Sequence, residues 1–540
     1  MEALLAKAIM IQGTGSGAGK SLISAALCRI FSDEGMRVAP FKAQNMALNS
    51  YITLDGGEIG RAQALQAEAA RAPATVDMNP ILLKASGESG SQVIIHGKVH
   101  STMKAKEYYA FKKTAWVAVR ASFDRLSKQY DLIVMEGAGS PAEINLMDVD
   151  IVNMAAARYA NAPVILVGDI DKGGVFASLY GTVELLKERV NPPTPHFDKG
   201  GMGGFCDADY IRGFIINKFR GDMDILKPGL DMIREKTGKP VIGVMPWINN
   251  VDLPEEDGLS LRGSNSKFKI QNSKSENIKI VIVRLQYISN FTDFDPFMYE
   301  PDVEIIYSRN PAEIENADMV IIPGSKNTAE DLRFLKETAL DKSIKKAYTK
   351  GIRIIGICGG YQMLGRRIYD PHGIEGGCKE IEGLGLLNIK TTFETEKITC
   401  QVEAELTGIG DWGSGISKEN TNAPNPILKG YEIHMGRSTG DIGLFNIKRL
   451  SSHPSPITHH PSLLFDGSRN RNCWGSYLHG IFENNAFRRN MLDHIRQKKG
   501  LEPLGHSIDY GRLRDEALDR LAGLVRRHVD MQFIKRMLEL

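Results

Sequence analysis

Residues 13–21 read "GTGSGAGKS", and this stretch decides the fold of the first half of the chain. An apolar run, "AIMIQG" (8–13), precedes it, and "LISAALCRIF" (22–31) follows with the small and apolar residues of a helix that packs on a sheet. Strand, glycine-rich turn and helix N-terminus together form a setting in which backbone N–H groups hold phosphates. Lys20 is expected to reach the terminal phosphates and Ser21 to bind Mg²⁺. The spacing is unusual, because in G-x-x-x-x-G-K-[ST] the first glycine would fall at Thr14, whereas the sequence has Gly13. The expected nucleotide-binding residues are Gly13, Thr14, Gly15, Gly17, Gly19, Lys20 and Ser21.

Outward from this loop, short apolar runs alternate with longer segments of helical period, the pattern of α/β folds with largely parallel sheets. "VAPFK", "DLIVMEG", "APVILVGDID", "IRGFIINK" and "KPVIGVMP" continue the first series up to residue 246. "DLIVMEGAGS" places Glu136 where its strand opens onto the ligand crevice, which makes it the leading metal ligand. "VILVGDIDKGGVF" brings Asp169 and Asp171 to an equivalent position; Asp171 is expected in the metal shell unless it caps the next helix. Asn217, at the end of "FIINK", suits hydrogen bonding to a purine edge.

A second series starts at "NIKIVIVRL" and runs through "VEIIYS", "ADMVIIPG" and "GIRIIGIC" toward "CWGSYLHG". In "GIRIIGICGGYQMLG" (351–365) a cysteine stands between an apolar strand and an amphipathic segment, with glycines close on both sides. A nucleophile on such a sharp turn needs small neighbours, and a helix N-terminus behind it favours the thiolate. Cys358 is therefore the expected nucleophile, with His479 as its base. Gly324 and Ser325, in "VIIPGSKNT", together with Gly359 would supply the N–H groups of an oxyanion hole.

The 540-residue chain exceeds what one core usually supports. Its 67 basic and 65 acidic side chains nearly cancel, so no single-sign field points to a nucleic acid or a membrane surface. The six cysteines form no C-x-x-C pair, which suits a cytoplasmic protein with free thiols. The expected divisions are a nucleotide-binding domain at 1–258, a linker at 259–278, a second α/β domain at 279–500 and a helical segment at 501–540. Gly-, Pro- and Ser-rich stretches at 192–207, 408–427 and 451–462 read as inserted loops, and His459–His460 in the last as solvated.

The Cys358 elbow, the Pro-Gly-Ser turn and the distal His479 resemble the class I glutamine amidotransferases. "GTGSGAGKS", with its displaced glycine, is similar to the variant loop of dethiobiotin synthetase-like amidoligases. "PFKAQNMALNS" (40–50), "GDIDKGGVF" and "GYEIHMG" resemble the cobyric acid synthase family, a likeness that extends over roughly residues 8–255 and 279–530. The resemblance implies a P-loop NTPase-like parallel-sheet domain joined to a class I glutamine amidotransferase-like α/β domain. It implies ATP and Mg²⁺ as cofactors, L-glutamine as ammonia source and a corrinoid polycarboxylic acid as partner. The activity would be amidation of the b, d, e and g carboxylates of adenosylcobyrinic acid a,c-diamide in cobalamin biosynthesis. It also implies that Lys42, Gln44, Asn45 and Asn49 face the nucleotide or the acid. Many class I relatives carry a Glu two residues after the histidine, where this chain has Ile481, so the sequence offers a dyad, with Glu483 as a candidate orienting acid. The alternatives are an a,c-diamide synthase, which is expected to lack "PFKAQNMALNS"; a murein-ligase-associated amidotransferase; and a P-loop regulatory switch with an inactive amidotransferase-like domain.

Overall fold

Strands buried on both faces must be apolar along their whole length, because neither side meets water. In the computed structural model, which describes residues 6–85, 90–189, 206–248, 253, 277–375, 379–407, 426–450 and 464–540, the six apolar runs of the first half become such strands. Leu132–Glu136 and Val164–Asp169 are buried at every residue. The six strands pair in parallel in the order Val241–Pro246, Ile211–Phe219, Val164–Asp169, Lys7–Gly13, Leu132–Glu136, Val38–Phe41. Lys7–Gly13 thus lies between the strands ending in Glu136 and Asp169. The loop that follows it opens into the crevice where the strand order reverses, the usual ligand position in such sheets.

The second half repeats the plan. Val303–Ser308, Ile278–Val283, Met319–Ile322, Arg353–Ile357 and Cys473–Ser476 form a parallel sheet, closed by an antiparallel edge strand, Ser468–Asn470. Arg353–Ile357 runs between Met319–Ile322 and Cys473–Ser476, so Cys358 emerges with the Gly324–Ser325 turn on one side and the chain to His479 on the other. A third sheet is dominated by the antiparallel pair Ile389–Leu406 and Leu428–Gly440. A fourth sheet contains Gln44–Met46, Ile81–Ala85, Ser91–Ile95 and Lys98–Met103 and belongs to the first half.

The chain ends where it began. Helices Tyr510–His528 and Met531–Leu538 leave the second half and pack Leu518, Leu521, Val525, Ile534 and Leu538 into the core that holds Ile9, Ile11, Leu27 and Ile30. Each such leucine contributes about 1.5–3 kcal/mol by leaving water. Arg29, fully buried on helix Lys20–Asp33, reaches Asp515 and Asp519 on the returning helix, and Lys7 Nζ donates to Leu538 O at 2.6 Å. The linker at 259–278 and the loops at 192–207, 408–427 and 451–462 fall almost entirely outside the described residues, and His459 and His460 lie there too. Among the described residues no helix is long and apolar enough to cross a membrane.

Candidate active site

Two sites stand at the carboxyl ends of the two parallel sheets. In the first, the loop turns sharply into its helix through Gly19, whose φ of +100° favours glycine; a Cβ there would lie 2.0 Å from Asn217 Nδ2. Lys20 folds over the loop, its ammonium donating to Gly15 O at 2.9 Å and Gly139 O at 3.1 Å. Ser21 Oγ donates to Glu136 Oε1 at 2.9 Å, as does Lys42 Nζ, and Gln66 Nε2 donates to Glu136 Oε2 at 2.5 Å. Burial opposes charge on Glu136, but Lys42 and the hydrogen bonds from Gln66 and Ser21 outweigh it and hold the carboxyl below its usual range. A buried, ionised carboxylate beside a helix-start hydroxyl is a donor pair that suits a hard cation also bound by phosphates and water.

Other expected members of this site are placed differently. Asn217 is buried and spends its polar atoms inside the protein: Nδ2 donates to Ala18 O at 2.9 Å and Oδ1 accepts from Lys218 N at 2.9 Å. It buttresses the phosphate loop from below. Asp171 stands half exposed, 3.9 Å from Arg220, and among the described residues no hydrogen bond or ion pair joins it to Ser21 or Glu136. Asp169 pairs with Lys218 at 2.7 Å, and Lys218 also ties Gly17 O at 2.8 Å. Of the four residues in "PFKAQNMALNS", Lys42 reaches the Glu136 cluster. Gln44 accepts from Tyr108 OH at 2.6 Å, Asn45 donates to Gln63 at 3.0 Å, and Asn49 crosses into the second half to accept from Phe291 N at 3.0 Å. The extended segment carries successive side chains to different faces, so neighbours in sequence meet different partners.

In the second site Cys358 has φ +51° and ψ −106°, a conformation costly for a residue with a Cβ and typical of a nucleophile elbow. The glycines flanking it permit the turn: a Cβ on Gly360 would lie 1.9 Å from Ile322 O, and one on Gly359 would lie 2.9 Å from Ser325 N. A Cβ on Gly324 would approach His479 Cε1 to 3.4 Å, so the Gly324–Ser325 turn, Gly359 and His479 surround one small space. The Cys358 thiol donates to Ile433 O at 3.5 Å.

The sequence offered Glu483 as the candidate orienting acid for His479, and the structure places a different carboxylate beside the ring. Asp293 Oδ2 lies 2.6 Å from His479 Nδ1, and Asp293 Oδ1 accepts from Gly480 N at 3.1 Å. With Nδ1–H given to Asp293, Nε2 is left without a hydrogen-bond partner among the described residues. Burial works against a charged ring, but Asp293 and Cys358 outweigh it and push His479 up to about 10. Tyr431 stacks on the other face of the ring, with centroids 5.3 Å apart and planes at 17°. Glu483 is engaged elsewhere, bonded to Arg61 at 3.0 Å and Arg514 at 3.3 Å. Asp293 carried no signal beyond a position in "NFTDFD", because the turn that presents it is a short 3₁₀ segment, Phe291–Phe294, with no motif spacing to His479.

The two halves meet across a buried polar interface. Glu58 and Lys84 of the first half pair at 3.0 Å, Lys397 of the second half joins Glu58 at 2.5 Å, and Lys326, next to the Gly324–Ser325 turn, donates to Gln92 Oε1 at 3.1 Å. Burial, together with Lys397 and Lys84, holds Lys326 well below the ordinary lysine range.

Comparison with known proteins follows the same division. Residues 9–261 match the CobQ/CobB/MinD/ParA nucleotide binding domain, and residues 279–487 match the CobB/CobQ-like glutamine amidotransferase domain. Over its length the chain is similar to the cobyric acid synthase of Thermodesulfovibrio yellowstonii, 46% identical over 98% of each chain. It is likewise similar to that of Syntrophobacter fumaroxidans, 44% identical over 99% of each, and that of Thermoanaerobacter sp., 46% identical over 99% of each. Since nucleotide loop, thiol elbow and the order of the two halves all fall inside these full-length matches, the chain belongs to the cobyric acid synthase family.

Proposed function

We propose that this chain amidates the b, d, e and g carboxylates of adenosylcobyrinic acid a,c-diamide, using ATP and glutamine, to give adenosylcobyric acid in cobalamin biosynthesis. The observation that carries the proposal is the Cys358–His479–Asp293 arrangement, on one chain with a Lys20–Ser21–Glu136 phosphate site. The described cysteines are free thiols, which suits the reducing cytoplasm.

Glutamine hydrolysis starts with attack of the Cys358 thiolate on the side-chain amide carbon. The oxyanion that develops is met by N–H groups of Ser325 and Gly359, with Gly324 small enough to let it in. His479, holding a proton because Asp293 stabilises the imidazolium, gives that proton to the leaving nitrogen, and ammonia departs from a glutamyl thioester. The now neutral ring takes a proton from water as the water attacks the thioester; glutamate leaves and the thiolate is restored.

At the other site Lys20 and the loop N–H groups orient the terminal phosphates of ATP toward a substrate carboxylate. Ser21 and Glu136 would hold Mg²⁺, which supplies neutralisation of the phosphate charge. The carboxylate takes the phosphoryl group, ammonia displaces phosphate from the activated acyl carbon, and amide, ADP and phosphate result. Lys42 keeps Glu136 ionised and in place. The test is an assay with ATP, glutamine and the corrinoid a,c-diamide; corrinoid-dependent ADP release with stepwise amide formation is expected, and its absence would overturn the substrate.

A further inference from the structure

His479 is held by residues that are themselves held by the other half of the chain. The turn bearing Asp293 begins at Asn290, a non-glycine residue with φ +51° and ψ +39°, and such a conformation persists only where surrounding contacts enforce it. Two of those contacts come from the nucleotide-side half. Asn49 Oδ1 accepts from Phe291 N at 3.0 Å, and Ser50 N donates to Asn290 Oδ1 at 3.0 Å. The same strand end secures the opposite face of the imidazole, because Tyr431, stacked on His479, donates its hydroxyl to Ser50 O at 3.1 Å. Asn290 Nδ2 in turn lies 3.4 Å from His479 Nδ1.

Asn49 is fully buried, and among the described residues its Nδ2 has no hydrogen-bond partner. A buried amide with idle N–H groups costs on the order of 1–3 kcal/mol, so packing alone would favour an apolar side chain at this position. What Asn49 offers in return is one acceptor at the N–H of Phe291, two residues from the carboxylate that orients the base.

Given Cys358 and His479 as the glutaminase pair proposed above, we infer that Asn49 is a positioning residue for glutamine hydrolysis: from the nucleotide-side half, it locks the Asn290–Asp293 turn that aims His479 at Cys358. The glutaminase site is complete only when strand Ser50–Ile52 and its approach are docked against it. A displacement of about 1 Å at a catalytic group costs on the order of 10²-fold in rate, and this sets the expected effect.

The experiment compares wild type, Asn49→Leu, Tyr431→Phe and Cys358→Ala as full-length chains, measuring corrinoid-dependent ADP release driven by glutamine and by ammonium chloride. Asn49→Leu keeps the volume and removes the acceptor. It should lower glutamine-driven kcat on the order of 10²-fold with KM for ATP unchanged and ammonium-driven turnover within about twofold of wild type. Ammonium-driven turnover also reports that the variant is folded. Tyr431→Phe, which keeps the stack and loses only the bond to Ser50, should give the same split at about 3–10-fold. An Asn49→Leu enzyme that uses glutamine normally while Cys358→Ala does not would overturn the inference alone. Equal loss with both nitrogen sources would assign Asn49 to the nucleotide or acid site and also overturn it. Glutamine use by Cys358→Ala would overturn the glutaminase pair and this inference with it. Should Asn49→Leu fail to fold, the Tyr431→Phe split decides, and its absence counts against the proposal.

Discussion

Lys20, Ser21 and Glu136 gather at the end of one parallel sheet, and Cys358, the Gly324–Ser325 turn and His479 at the end of the other. The first site is built within its own half: the loop, the carboxylate of the neighbouring strand, Lys42 and Gln66 all come from the first 140 residues. The second draws its orienting acid from a turn 186 residues before the histidine, and that turn leans on Asn49 and Ser50 across the interface. A phosphate is gripped by backbone N–H groups whose directions follow from a local turn, so a contiguous stretch suffices. A nucleophile and base need side chains converging from several elements, so the site depends on how those elements dock.

If this contrast is right, substitutions at the two sites separate by nitrogen source. Cys358→Ala should show the largest effect, a loss of glutamine-driven turnover on the order of 10⁵–10⁶-fold with ammonium still accepted, read as corrinoid-dependent ADP release. Asp293→Asn keeps the shape and loses the charge that fixes the tautomer and the imidazolium; glutamine-driven turnover should fall about 10³–10⁴-fold, again sparing ammonium. Glu136→Gln should break the pattern in the opposite sense, with a loss of about 10²–10³-fold for both nitrogen sources, because activation of the acid precedes either. A Glu136→Gln enzyme impaired only with glutamine would erase the distinction between the sites.

The smallest effect concerns stability. His479 is raised from 6.5 to about 10 in the folded chain, so its interaction with Asp293 stabilises the fold fully below about pH 6.5 and is lost as pH rises through about 10. The difference in unfolding free energy between wild type and Asp293→Asn, measured by denaturant at several pH values, should therefore shrink from pH 6.5 to 10. A difference that stays level would mean that Asp293 acts through its bond to Gly480 N.

The eleven apolar runs legible in the sequence all became strands of the two parallel sheets, because a strand covered on both faces cannot hide its composition. The smaller sheet of Gln44–Met46, Ile81–Ala85, Ser91–Ile95 and Lys98–Met103 was not legible: Lys98–Met103 is largely exposed and mixes polar with apolar residues, so its pattern is weak. Asn217 shows a subtler limit. Its position at a strand end beside the phosphate loop was readable, but whether its amide turns toward a base or toward Ala18 O depends on how close Gly19 comes, which is a matter of packing.

What the sequence determined by itself was everything encoded within a single strand–turn–helix unit: the phosphate loop with its glycine at 13, the thiol elbow at Cys358 and the carboxylate at the end of Leu132–Glu136. Glycine placement and apolar runs constrain the backbone locally, so these units have few alternatives. The tertiary structure alone decided which acid lies beside His479, that Asn49 bonds to the turn bearing that acid, that Glu483 is committed to Arg61 and Arg514, and that the last two helices return to the first sheet. Those choices join residues separated by tens to hundreds of positions through single hydrogen bonds or packed faces. No periodicity or spacing records such a contact; it exists only once the sheets have formed and docked.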